Sequence, residues 1–168
     1  MKLYYGPGAC SIGIHYLLEE CGAPYEAQRV DLKSAENTQD WFAELNPKTK
    51  VPTLQRDDGS ILTEFPVIAR YIAEQNLSAG FLPSDPEVLL RASELTEFVV
   101  STIHMQGFSR AFRPGKFNSD VTQHPAVVER GKEIIKDGFA QVERGIGPGG
   151  QLASQRTFAD AALFYVLF

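Results

Sequence analysis

The hydrophobic pattern of this chain changes period at one turn-rich stretch, Gly80-Phe81-Leu82-Pro83-Ser84-Asp85-Pro86, and that change limits the fold more than any other feature. Before it, short strand-like runs are interleaved with segments at helical spacing; after it, only helical spacing is found. The switch predicts an α/β unit over residues 1–78, a linker over 79–86 and an all-α helical unit over 87–168. In the first unit, residues 2–5 read as a strand that Gly6-Pro7-Gly8-Ala9 breaks. Ile14, Leu17, Leu18 and Cys21 recur at helical spacing and predict a helix over 11–21, with Gly22 placed to close it. A second strand over 25–32 and a short helix over 40–45, stopped by Asn46-Pro47, follow. The Asp57-Asp58-Gly59 turn between 51–55 and 60–63 signals an antiparallel hairpin. Pro66 then opens a helix carrying Val67, Ile68, Tyr71 and Ile72 on one face. The predicted order is β-α-β-α-β-β-α.

Beyond the linker, residues 87–112 predict one long helix with Leu90, Leu95, Phe98, Val99 and Ile103 as its apolar set, stopped by Arg113-Pro114-Gly115. Pro125 opens another helix, striped by Val128, Ile134, Ile135, Phe139 and Val142. Gly145, Gly147, Pro148, Gly149 and Gly150 force a loop. Thr157 and Asp160 resemble a capping box ahead of residues 161–168, a segment apolar enough to be an interior helix. A chain that stops in so apolar a run would leave it poorly covered, which predicts that the helical unit is truncated at its C-terminus.

With 168 residues, 43% of them hydrophobic, the chain can bury a core. A net charge of −5, with scattered Lys and Arg, provides no footprint for nucleic acid or an anionic membrane. No stretch approaches the ~20 apolar residues of a bilayer span, and no signal-peptide core follows Met1, so a cytoplasmic protein is expected.

Two cysteines are present. Eleven residues of helix hold Cys10 and Cys21 roughly 16 Å apart, whereas a disulfide tolerates at most ~7 Å between Cα atoms. Cys10 stands at the start of the first helix, where free N–H groups and the macrodipole favour a thiolate. It is therefore the candidate reactive atom, against the alternative of a small buried hydrophobe. Cys10-Ser11-Ile12-Gly13 lacks a second thiol, so any redox role needs an external one. Val51-Pro52 interrupts a strand, either as a trans proline opening it or as a cis bond that turns the Val51 backbone toward an extended ligand. Glu64 and Phe65 stand at the start of the third helix, where a carboxylate ligand is attracted; Glu64 could equally act as a favourable charge for that helix. Tyr5 reads as strand packing near Cys10. His15, His104 and His124 show no metal-ligand spacing, so no metal is expected.

Taken together, these residues resemble the bacterial beta-class glutathione transferases. The resemblance is carried by Met1-Lys2-Leu3-Tyr4-Tyr5 with Pro7-Gly8-Ala9-Cys10-Ser11, by Asn46-Pro47-Lys48, Val51-Pro52 and Leu62-Thr63-Glu64, and by His104, Gly107-Phe108, Phe112-Arg113-Pro114 and Thr157-Phe158-Ala159-Asp160. It implies a thioredoxin-like first unit, and glutathione as co-substrate, conjugated to a small hydrophobic electrophile in a detoxification reaction. A homodimer is implied too. By position, Cys10 would meet the glutathione sulfur, Val51 before cis-Pro52 would hold the cysteinyl backbone, and Glu64 and Phe65 would hold the γ-glutamyl end. Tyr5 and Ser11 would be among the glutathione-binding residues, Lys33 would reach the glycyl carboxylate, and His104 would approach the sulfur from the helical unit. The resemblance leaves two other roles open: glutathione-dependent thiol exchange or peroxidase chemistry through Cys10, and a non-catalytic binding protein. Phe65-Pro66, in place of the small residue common after the glutamate, is the departure that supports the last.

Overall fold

The computed structural model describes residues 1–145 and 155–168. Its first part follows the predicted order: β1 Lys2–Tyr5, α1 Ser11–Glu20, β2 Glu26–Arg29, α2 Asp40–Leu45, β3 Thr53–Gln55, β4 Ile61–Thr63 and α3 Phe65–Gln75. The four strands form one mixed sheet in the order β2-β1-β3-β4. β1 pairs parallel with β2, in the register Leu3 opposite Ala27, and antiparallel with β3, Leu3 opposite Leu54. The hairpin of β3 and β4 is antiparallel, as the Asp-Gly turn requires. This is a thioredoxin-like unit, and the remainder is mostly helical.

The second strand is shorter than its sequence suggests, and its residues lie at the sheet edge with mostly exposed side chains. Alternation there reflects one-sided pairing rather than burial.

Leu3, Ile14, Leu17, Leu18, Leu54, Ile68 and Ile72 are fully buried and form the layer between sheet and helices. Each such Leu or Ile stabilises the fold by about 1.5–3 kcal/mol relative to exposure. Val67, expected on the inner face of α3, is instead half exposed, because Ala69 and Ala73 turn inward beside Ile68 and Ile72.

A single helical rod follows. It starts as α4 Pro86–Phe98, continues with π-helical spacing over Val99–Phe108 and ends as α5 Ser109–Phe112. Asp85 caps α4 by accepting from the N–H groups of Glu87 and Val88. Leu90 was expected on the buried face, but Ala92, Thr96, Val99 and Ile103 occupy it and Leu90 faces out. On that face the small Ala92 and Thr96 precede the larger Val99 and Ile103, all fully buried.

The sixth helix, α6 His124–Gly145, packs on the rod through Gly131 and Gly138; Val128, Ile134, Ile135 and Phe139 are only partly buried. A β-carbon at Gly131 would lie 2.8 Å from the Gly107 carbonyl oxygen, which explains the absence of a side chain at this crossing. The glycine-rich loop expected after Gly145 lies outside the described residues.

The last helix, α7 Ala159–Leu167, is central rather than peripheral. Its Ala161, Ala162 and Leu163 are buried against α1, α3 and α4. The expected capping box is formed: the Thr157 N–H donates to Oδ2 of Asp160 at 2.6 Å, and the Ala159 N–H donates to the Thr157 hydroxyl at 3.2 Å. Phe81, from the turn-rich stretch, is fully buried, and its carbonyl accepts from the Phe158 N–H at 2.9 Å. Phe81 thus ties that stretch to the start of α7, while Gly80, Ser84, Asp85 and Pro86 stay exposed.

Candidate functional site

The turn after β1 is held by Ser11. The hydroxyl of this fully buried residue accepts from the Gly6 N–H at 3.1 Å and donates to the Gly6 carbonyl at 3.2 Å. The Ser11 side chain is thus engaged in shaping the loop that presents Cys10, and any contact of this residue with a ligand falls to its backbone. Ile12 and Gly13 N–H groups donate to the Ala9 and Cys10 carbonyls, so the helix begins at the cysteine.

From there the Cys10 Sγ lies 3.6 Å from the Val51 carbonyl oxygen, to which the thiol donates. The Val51–Pro52 bond is cis. The segment leading to it is tied down by Asn46, whose amide donates to the Lys50 carbonyl and to the Thr53 hydroxyl, both at 2.9 Å.

Burial, acting on a side chain that keeps partial exposure, pushes the Cys10 thiol up to about 11. The backbone N–H groups of Cys10 and Ser11 favour the thiolate, and the Glu64 charge opposes it. Desolvation wins. Burial thus outweighs the helix start at this sulfur and favours the neutral thiol. Cys21, at the other end of α1, is also a free thiol, raised by burial.

Glu64, between β4 and α3, has φ 70 and ψ 123, a conformation an L-residue adopts only under constraint. Its carboxylate is exposed and accepts from Lys48 Nζ at 2.7 Å; the same Nζ donates to the Thr63 hydroxyl at 2.9 Å. Phe65 follows, only 4% exposed, its ring turned into the core beside Gly13 and 4.9 Å from that of Tyr165. Pro66 has no N–H, so the polar surface at the start of α3 comes from the Glu64 carboxylate and the Phe65 backbone.

From the helical side, His104 lies in the π-helical segment, partly buried. Burial, and then the charge of Arg113, hold its imidazole below the usual histidine range, so the ring is neutral at pH 7. Its Nδ1 is 3.3 Å from the Tyr165 hydroxyl of α7. Burial, and then the charge of nearby Cys10, push the Tyr165 phenol up. Tyr165 thus stands among Cys10, Phe65 and His104. The sequence reading did not single it out, because it lies in an apolar run read as interior helix.

Tyr5 and Lys33 make contacts of their own. The ring of Tyr5 packs edge-on against His15 at 4.5 Å and borders a shallow pocket with Gly6, Pro7, Gly8 and Ile12. Lys33 is exposed, and its N–H donates to Oδ1 of Asp31 in the loop after β2. Among the described residues, no group of three or more His, Cys, Asp or Glu could hold a metal ion. Nor, among the described residues, is any helix long and apolar enough to cross a membrane.

The arrangement compares closely with known proteins. Residues 8–75 match the family described as glutathione S-transferase, N-terminal domain. Glutathione S-transferase GstA of Escherichia coli O157:H7 is 34% identical over 99% of this chain and 81% of its own length. The structure of a glutathione transferase homologue from Sulfitobacter, with bound glutathione, superposes with a TM-score of 0.90 at 28% identity, covering 99% of this chain and 80% of that one. A bacterial beta-class glutathione S-transferase from Sphingomonas chungbukensis gives a TM-score of 0.82 at 34% identity, covering 99% of this chain and 81% of that one.

Proposed function

Because this chain belongs to the glutathione transferase family, we propose that it binds glutathione along the Val51–Pro52 segment and conjugates the glutathione sulfur to small hydrophobic electrophiles. The observation that carries this reading is the Cys10 sulfur at 3.6 Å from the Val51 carbonyl, at the start of α1 and beside the cis bond. A peptide backbone laid against Val51 would bring its cysteinyl sulfur to that point.

In this reading Cys10 works as a neutral thiol. Its S–H, released from Val51, donates to the glutathione sulfur, while the N-terminal end of α1 and the neutral His104 ring stabilise the negative charge there. The glutathione thiol loses its proton to water. Its sulfur then forms a bond to an electrophilic carbon as the leaving group departs with its electron pair. The raised Cys10 thiol favours this course over thiol exchange or peroxide reduction, each of which needs a Cys10 thiolate as nucleophile.

Glu64 receives the γ-glutamyl ammonium, assisted by the Phe65 backbone, and Lys33 the glycyl carboxylate. The inward Phe65 ring leaves that backbone free for a ligand, which speaks against the non-catalytic alternative. Residues 1–78 form the glutathione-binding unit, joined by 79–86 to the helical unit from 87 onward. Half-exposed Val67 on α3 and exposed Leu90 on α4 offer apolar surface for a homodimer. A cytoplasmic, detoxifying role fits this chemistry.

Calorimetric titration with glutathione, together with conjugation to 1-chloro-2,4-dinitrobenzene followed by absorbance, tests the proposal. Saturable binding and glutathione-dependent turnover are expected, with Cys10→Ala keeping conjugation at reduced rate. No heat of binding and no retention on glutathione resin would overturn it.

A further inference from the structure

Tyr165 is separated by 61 residues from the histidine it touches, yet the two side chains form one unit. The ring centroids of His104 and Tyr165 lie 5.3 Å apart at 72°, and the hydroxyl faces Nδ1 at 3.3 Å. On its other side, the Tyr165 ring is held by Phe65, centroids 4.9 Å apart at 61°. Nδ1 of His104 is the hydrogen-bond partner of the phenol among the described residues. The Nε2 of His104 has no partner there, and it is not among the sealed, unsatisfied atoms.

A neutral imidazole carries one proton shared between two sites, and the hydrogen bond made at one nitrogen decides which of them holds it. A phenol with a single partner places its O–H on that partner, because an unmade donor near a core is costly. We propose that Tyr165 is a positioning residue for His104: its hydroxyl donates to Nδ1, places the ring proton on Nε2, and leaves Nε2–H as the free donor that the proposed function offers to the glutathione sulfur. Phe65 supports this from behind, since its buried ring fixes the Tyr165 side chain. The side chain that replaces the usual small one after the glutamate thereby gains a part in the site through Tyr165, while the Phe65 backbone remains the part that meets glutathione.

The catalytic half of this inference rests on the proposed function; the tautomer does not. Long-range proton–nitrogen correlation spectra of the nitrogen-15-labelled, ligand-free protein report the tautomer directly, with His104 assigned by its loss in His104→Gln. The expected spectrum shows His104 as Nε2–H. Tyr165→Phe keeps the ring on Phe65 and removes only the hydroxyl, so His104 should shift to a mixture of tautomers. Conjugation should then lose about three- to tenfold in kcat, the worth of one hydrogen bond, with KM for glutathione nearly unchanged. An Nδ1–H ring in the parent, an unchanged tautomer in Tyr165→Phe, or an unaffected kcat would each overturn the proposal. If the protein failed to bind glutathione at all, the family reading of the site would fall, while the spectra would still decide the Tyr165–His104 pairing.

Discussion

Gly13 of α1 lies directly against α7, where a β-carbon on it would meet the carbonyl oxygen of Ala161 and come within 2.9 Å of the Phe65 ring. Helix α1, which begins at Cys10, is thereby locked to the helix that carries Tyr165. The distance between the two halves of the site is set by the absence of one methyl group.

Replacing that glycine should therefore cost stability, even though alanine is the better helix former by about 1 kcal/mol. The backbone carbonyl cannot move aside as a side chain would, so Gly13→Ala should destabilise the protein by about 1–3 kcal/mol. Urea unfolding monitored by circular dichroism measures this; a variant as stable as the parent would show that the α1–α7 contact is looser than described.

The reactivity of Cys10 follows from its burial. With the thiol pushed up to about 11, the thiolate fraction grows tenfold per pH unit through the neutral range. In the ligand-free Cys21→Ser variant, alkylation by iodoacetamide should accelerate in step with pH and stay far below its limiting rate at pH 8. A rate that levels off by pH 8 would mean that the helix start, not burial, governs the sulfur.

Glu64 separates function from stability. Its positive φ strains an L-residue, and its exposed pair with Lys48 contributes little. Glu64→Gly should leave stability unchanged or raise it by up to about 1 kcal/mol. Loss of the charge-assisted bond to the γ-glutamyl end should weaken glutathione about 10- to 100-fold in calorimetry. Undiminished affinity would remove Glu64 from the binding site.

At the start of α7, Thr157→Ala removes the hydroxyl that accepts from the Ala159 N–H. A loss of about 1 kcal/mol is expected, together with a lower Tm in thermal unfolding. The effect should be absent in Ser at the same position, which keeps the hydroxyl.

The amino-acid sequence alone determined what depends on near neighbours: the β-α-β-α-β-β-α order, the Asp58-Gly59 hairpin, the Thr157–Asp160 cap and the cysteine at a helix start. Each is a local preference of backbone or side chain, legible within about ten residues. Burial faces were legible only in part. Val67 and Leu90 carry the right hydrophobicity at helical spacing, yet Ala69 and Ala73 beside Ile68 and Ile72, and Ala92 and Thr96 beside Val99 and Ile103, take the inner positions, because packing selects by shape as well as by hydrophobicity. Tertiary structure alone decided the chemistry of the site. The hydroxyl of Ser11 turned to Gly6, burial overrode the helix dipole at Cys10, and Tyr165 reached His104 across 61 residues of chain. Charge, protonation and partner choice depend on which groups surround an atom in space, and residues distant along the chain supply most of those groups.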